Sequence, residues 1–291
     1  MPPRLTRLPP TLAQYLHLSL RSHSTHHPSP SSVSASEVSH FSALASSWWD
    51  PHGPSALLHA MNPLRHTFIR HCLTSATTEP ASRQFRPPPP SSTPHHKQGT
   101  TYLDIGCGGG IFAESAARLA GTERVTGVDP TPDVLRVAKA HLASDPPLAA
   151  SGKLSYLEGS VETLLPADLQ ADIVSVFEVV EHVNRPSDFL TACMAHVRPG
   201  GWLVGSTIAR TWTSWLTTKV MAEEVLRIVP RGTHDWEKYI QPEEMRDWAG
   251  KQEGWGEWRV MGVVYVPGMG WREVKGSEGW GNYFFGMRRL V

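Results

Sequence analysis

The sequence predicts an α/β fold, a doubly wound and mostly parallel sheet preceded by N-terminal helices, and three observations predict it. From Thr100 onward short apolar runs alternate with helical stretches of about ten residues, the rhythm of βα units. A glycine cluster, Gly106-Cys107-Gly108-Gly109-Gly110, stands between the first run and the first helix. An acid, Asp129, closes the second run.

The elements follow in order. Residues 1–36 carry Arg4, Arg7 and Arg21 and no acid, and Leu12, Tyr15, Leu16 and Leu20 fall on one helical face. That is the composition of a mitochondrial transit peptide, without the continuous apolar core of a secretory signal. Residues 37–75 hold Phe41, Leu44, Trp48, Trp49, Leu57, Leu58, Met61 and Leu64, so one or two helices are expected to pack on the main domain. Residues 77–99 are rich in Pro, Ser and His, with four consecutive prolines from Pro87 to Pro90. Such a stretch has too little apolar surface to fold and is expected to be an exposed insertion. Strands are expected at residues 101–105, 124–128, 154–157, 172–177 and 202–207, the last after the turn Pro199-Gly200-Gly201. Helices are expected at 111–120, 132–143 and 186–197, and two final strands at 258–266 and 282–287. Residues 37–291 thus form one domain.

Composition excludes several classes. The chain has 291 residues and 40% hydrophobic content, enough for a substantial core. No run of eighteen apolar residues exists, so no transmembrane helix is expected and any membrane contact is peripheral. Removing the first 36 residues leaves 24 basic against 27 acidic residues, a net of −3. A mildly acidic body argues against a nucleic-acid partner. Cys72, Cys107 and Cys193 are odd in number and far apart, which is neither a disulfide framework nor a zinc spacing and fits a reducing compartment.

The glycine cluster narrows the ligand. Glycines there let a backbone approach a ligand closely, and the following helix offers free N–H groups. Asp129 is placed to accept hydrogen bonds from ribose hydroxyls. A dinucleotide fingerprint would need glycine where Ile111 stands. The pattern beginning at Asp104 is D-x-G-x-G-x-G, that of class I methyltransferases, whose cofactor is S-adenosylmethionine.

A second cluster, Glu178, Glu181 and His182, follows the fourth strand. If the chain turns helical there, the three share one face. A phenol with pKa near 10 is only about 0.1% ionised at pH 7, a cost of roughly 4 kcal/mol for O-methylation. A base removes that cost, and so does a metal. Carboxylates suit Mg2+; imidazole suits transition metals better, so His182 is alternatively the base. Capping and solvent contacts are the plain structural alternative. Residues 206–230 carry Trp212, Trp215 and several aliphatic residues among few charges, either a cover touching a membrane interface or a buried helix. Residues 232–236 are a candidate substrate entrance or a surface turn.

Taken together, the stretches LDIGCGGGIFAESAARLA, VFEVVEHV, RIVPRGTHDWEKYIQPEE and WWDPHGPSALLHAMNPLRHTFIR resemble the ubiquinone biosynthesis O-methyltransferases, over residues 41–245 apart from the insertion. The resemblance implies methylation of ring hydroxyls on polyprenylated dihydroxybenzoate and demethylubiquinol. It implies a peripheral protein of the mitochondrial inner membrane, matrix side, within a multi-enzyme ubiquinone biosynthesis complex. It implies that Arg65, Gly106, Asp129 and Phe177, the last through its backbone, contact the cofactor. It further implies that Glu178, Glu181 and His182 ligate Mg2+, with Glu181 and His182 catalytic. Two departures stand out: Ser160 occupies a position where many class I enzymes carry an acid for the adenine, and the Trp- and Gly-rich tail from Gly250 gives little match.

Overall fold

The computed structural model describes residues 32–75, 99–163, 169–211 and 238–291. Helix α1 (Ala35–Leu44) leads through a 3-10 turn (Ala45–Ser47) into α2 (Ala56–Ser75). The βα alternation then runs β1 (Thr100–Ile105), α3 (Ile111–Ala117), β2 (Thr122–Asp129), α4 (Pro132–Ala143), the short α5 (Pro146–Ala150), β3 (Leu154–Glu158) and β4 (Ala171–Phe177). After a 3-10 turn (Val180–His182) come α6 (Pro186–Ala195) and β5 (Val197–Ile208), then α7 (Pro242–Ala249), β6 (Trp255–Val266), β7 (Gly270–Glu273) and β8 (Asn282–Arg289).

The strands form one sheet in the order β3-β2-β1-β4-β5-β8-β6-β7. Strands β1 to β5 are parallel, whereas β8 runs antiparallel to β5 and β6. The chain winds outward from β1 to β3 and then returns to β4 beside β1. That reversal leaves a crevice beyond the carboxyl ends of β1 and β4, where ligands bind in such sheets.

Alternation along each strand feeds two cores, as period-2 side chains must. Leu103, Val174, Val176, Leu203 and Phe285 face one side, where Phe189 and Leu190 of α6 and Met245 and Trp248 of α7 cover them. Tyr102, Ile173, Trp202, Val204 and Phe284 face the other, under Met61 and Phe68 of α2, Phe112 of α3 and Leu135 of α4. Burial on both faces explains why these strands read as near-continuous apolar runs.

Several expectations shift. The fifth strand starts at Val197 rather than 202, because Val197 already pairs with Ala171 and the Pro199-Gly200-Gly201 segment, with Gly200 at φ 83°, bulges within the strand; α3 stops at Ala117 rather than 120. The last residues of the 1–36 segment, whose cleavage point the sequence does not give, pack on the main domain. Ser32 is buried, its N–H and hydroxyl donate to the Glu162 carboxylate, its carbonyl accepts from Asn184 N–H, and α1 begins at Ala35. The expectations for residues 1–31, for residues 77–98 of the insertion, for residues 212–230 and for the 232–236 block lie outside the described residues. Among the described residues, no helix is long and apolar enough to cross a membrane.

Candidate active site

A single cavity of about 710 Å3 runs along the carboxyl edge of the sheet, under α1 and the start of α2. Every sequence-predicted site residue lines it: Arg65, Gly106, Asp129, Phe177, Glu178, Glu181 and His182.

The glycine loop forms its first wall. Gly106, Gly108 and Gly110 have φ of 69°, 53° and 87°. These left-handed values suit glycine, and space is short as well. A Cβ on Gly106 would meet Val179, and one on Gly108 would meet the Trp48 ring. Asp129 holds the loop: its carboxylate accepts from Gly108 N–H at 2.9 Å and from Thr131 N–H at 2.8 Å. Both bonds favour the charged carboxylate, yet burial outweighs them and raises its pKa.

Asp104, the first residue of the glycine motif, sits beneath the loop and accepts from the Ser175 hydroxyl at 2.7 Å. It is 3% exposed, and burial pushes its pKa up to about 7 against the pull of Ser175 and Arg65. Arg65 enters from α2, buried, with its guanidinium 5.0 Å from the centre of the Phe177 ring. Its Nε has no hydrogen-bond partner, and burial lowers its pKa against the carboxylates of Glu178 and Asp104. A buried guanidinium with a spare donor beside a glycine loop fits an anionic group on a ligand, as an amino-acid carboxylate would be. The glycine loop, Asp129 and Arg65 therefore fit S-adenosylmethionine as a set.

The N-terminal segment clamps that wall. Trp48 lies on the Gly108-Gly109 turn. Trp49 donates its indole N–H to the Gly109 carbonyl at 2.8 Å and stacks on His141 at 3.4 Å between centroids. His141 in turn contacts the fully buried Glu114 at 2.9 Å. Asn62 donates to the Ile111 carbonyl at 3.1 Å. Reading the sequence locally found these tryptophans as core formers but missed their role over the loop, because their partners lie 60 and more residues away.

The acidic turn forms the second wall, and here the structure corrects an expectation. No helix carries Glu178, Glu181 and His182 on one face. Glu178 has φ of 57°, and only a 3-10 turn follows. The Ser206 hydroxyl donates to Glu178 Oε1 at 2.6 Å, and the Thr207 hydroxyl donates to Glu181 Oε2 at 2.9 Å. His182 turns the other way, its Nδ1 3.1 Å from Glu37 of α1 and its ring edge-on to Phe41 at 5.0 Å. Lys238 Nζ reaches the other Glu37 oxygen at 3.4 Å. Glu181 is 5% exposed, and burial with the neighbouring Glu178 charge pushes its pKa up to about 7. Burial opposes the charge on His182, but the Glu37 bond and the nearby carboxylates prevail and raise its pKa; Glu37 is lowered mainly by the same bond. Among the described residues, no three His, Cys, Asp or Glu side chains converge where a metal ion could sit. The donor set has the right chemistry for a divalent cation, yet two of its members are turned to β5 and the third to α1, so the triad does not fit a metal as it stands.

Comparison with known proteins adds an independent line. A family model described as a methyltransferase domain matches residues 103–205, the stretch from the glycine loop through β5. The chain is 41% identical over 285 residues to the mitochondrial ubiquinone biosynthesis O-methyltransferase of Candida albicans, covering 89% of this chain and 86% of that one. It is 43% identical over 270 residues to the protein of the same name from Schizosaccharomyces pombe (89% and 87% covered). With that of Saccharomyces cerevisiae it shares 35% identity over 283 residues (89% and 88% covered).

Proposed function

The chain belongs to the ubiquinone biosynthesis O-methyltransferases and transfers methyl groups from S-adenosylmethionine to oxygen, and we propose that its acceptors are ring hydroxyls of polyprenylated dihydroxybenzoate and of demethylubiquinol. The observation that carries this reading is the cavity itself. It joins a wall suited to the cofactor (Gly106, Asp129, Arg65) to an acidic turn (Glu178, Glu181, His182) one strand away, within a lining that is mostly apolar.

Bound S-adenosylmethionine supplies an electrophilic sulfonium methyl. Asp129 would take the ribose hydroxyls, Arg65 would pair with the amino-acid carboxylate, and the backbone of Phe177 and the Gly106 turn would seat the rest. Glu181 has one carboxylate oxygen held by Thr207 and the other available to accept the proton of a ring hydroxyl. His182, fixed by Glu37, is the second proton acceptor in reach of the cavity. The protein's main contribution would be orientation, holding a ring hydroxyl near the acidic turn and the cofactor near the glycine loop within one cavity. Apolar lining excludes water that would compete for the proton.

One observation favours a second reading of the turn. Glu178 and Glu181 are close enough for one charge to raise the other's pKa, which is where a cation would relieve repulsion. Mg2+ on the two carboxylates is that reading; it requires Glu178 and Glu181 to turn from Ser206 and Thr207, and His182 to leave Glu37, and no step above is routed through it. Assay with and without EDTA separates the two. Turnover indifferent to chelator supports the proton-acceptor role; turnover lost and restored by Mg2+ replaces it with the metal.

We further propose a mitochondrial location, peripheral on the matrix side of the inner membrane, within a multi-enzyme ubiquinone biosynthesis complex. The names of the fungal relatives support the compartment.

A further inference from the structure

The cavity is longer than methyl transfer to a ring requires. Strand order fixes positions along it. Gly159 and Ser160 follow β3, Asp129 ends β2, Gly106 follows β1 and Glu178 follows β4. Beyond the acidic turn lie Ile208 at the end of β5, Asn282 at the start of β8, and Val263 and Val264 near the end of β6. Neighbouring strands are about 4.8 Å apart, so Val263 lies roughly 14 Å past the acidic turn. A ring placed over Glu181 leaves that far end without a task in the reaction.

The far end has its own chemistry. Leu57, Val263, Val264, Tyr265, Pro267 and Trp271 line it, and none carries a charge. Its walls are tied together: the Trp271 indole donates to the Leu57 carbonyl at 3.0 Å, and Tyr265 packs edge-on against Trp271 at 5.5 Å. The apolar surface also continues outward. Tyr265 is 41% exposed, Met269 at the β6–β7 tip 60%, and Trp280 at the cavity rim 58%. An enclosed slot that begins at the reacting ring and runs out onto exposed apolar side chains is shaped for a long apolar substituent whose far end leaves the protein.

We propose that the β6–β7 end of the cavity binds the first isoprene units of the acceptor's tail, with Val264, Tyr265 and Trp271 setting how strongly the tail contributes. The inference rests on a prenylated ring being the acceptor and adds the part of the chain that reads the tail. An isoprene unit extends about as far as one strand spacing, so about three units fit between the acidic turn and β6. Each buried methylene is worth about fourfold in affinity.

Two measurements on the full chain test this. In the first, KM is measured for a dihydroxybenzoate bearing zero to five isoprene units. It falls at least tenfold with each of the first two units and levels off by the fourth. V264W or Y265A compresses the ratio of kcat/KM between the triprenyl and the bare ring at least tenfold. A KM independent of tail length, or a ratio untouched by both variants, overturns the proposal. In the second, a diprenyl dihydroxybenzoate ending in a diazirine is photolysed on the protein and the labelled peptides are identified. Label within residues 263–271 is expected; label only elsewhere, or none, overturns the proposal. Methylation with label elsewhere sinks the tail site alone, whereas label on the hairpin without methylation sinks the reaction and keeps the site.

Discussion

Asp104 is a carboxyl group folded where its charge is unwelcome. Its pKa rises from 3.8 to about 7 on folding, so the native state binds its proton more tightly than the unfolded chain does. The stability it lends is present in full below about pH 4 and is lost as pH rises through 7. D104N keeps an acceptor for Ser175 and removes the charge. The cofactor-free variant is therefore more stable than the parent at pH 8, by an amount of order 2–4 kcal/mol, and the gap closes toward pH 4. Thermal melts at both pH values check this; a gap that does not narrow toward pH 4 contradicts it. Arg65 gives a second prediction. R65Q removes a charge-assisted pair worth about 1.5–3 kcal/mol, so the Kd for S-adenosylmethionine rises about 10- to 100-fold by calorimetry. Glu181 gives a third. E181A lowers turnover by about 100- to 10,000-fold while cofactor Kd stays within about threefold. Unchanged turnover would remove Glu181 from the chemistry. Gly106, Asp129, Glu178, Glu181 and His182 could be singled out in the sequence because type and position at or after a strand mark them, whereas Arg65 and Phe177 came only from the family resemblance, since neither a helix arginine nor a strand phenylalanine has a local signal. The partners of the acidic turn were not legible there. Ser206 and Thr207 lie at the end of β5 and Glu37 in α1, and only the tertiary fold brings them to the acidic turn.

At the scale of elements, the Trp48-Trp49 segment joins the N-terminal helices to the glycine loop. W49F keeps an aromatic ring against His141 and deletes the hydrogen bond to the Gly109 carbonyl. Losing that bond costs about 1–2 kcal/mol of loop order. Cofactor Kd therefore rises about 5- to 30-fold, while kcat at saturating cofactor changes much less. An equal loss in kcat would place Trp49 in the chemistry instead. The α4 helix matched its expected bounds because Pro132 sits at N1 and its apolar positions repeat at helical spacing. By contrast, α7 has no ready start signal: its N-cap is Gln241 rather than Ser, Thr, Asp or Asn, so the capping box it forms with Glu244 shows only in the fold. Strand β7 has four residues after a Pro267-Gly268 turn, too short for any periodicity to register. The 178–182 turn stayed conditional in the sequence because spacing alone does not say whether a helix forms, and the positive φ of Glu178 starts a 3-10 turn instead.

For the whole molecule, one open sheet sets the division of labour. The strands from β3 to β1 carry the glycine loop and Asp129 proposed to hold the cofactor, β4 and β5 the acidic turn with its hydroxyl partners, and β8 to β7 the apolar end. The doubly wound class follows from alternation and the glycine motif and was readable in the sequence, whereas the β1/β4 crevice needed the strand order. The antiparallel β8-β6-β7 extension was less readable: its order departs from chain order, and no local pattern encodes a crossover. The most direct test of the account is transfer of a labelled methyl from S-adenosylmethionine to a diprenyl dihydroxybenzoate, with the product identified by mass spectrometry and NMR. Label on a ring oxygen is the expected result. Label on ring carbon, or no labelled product from protein that binds the cofactor, would contradict it.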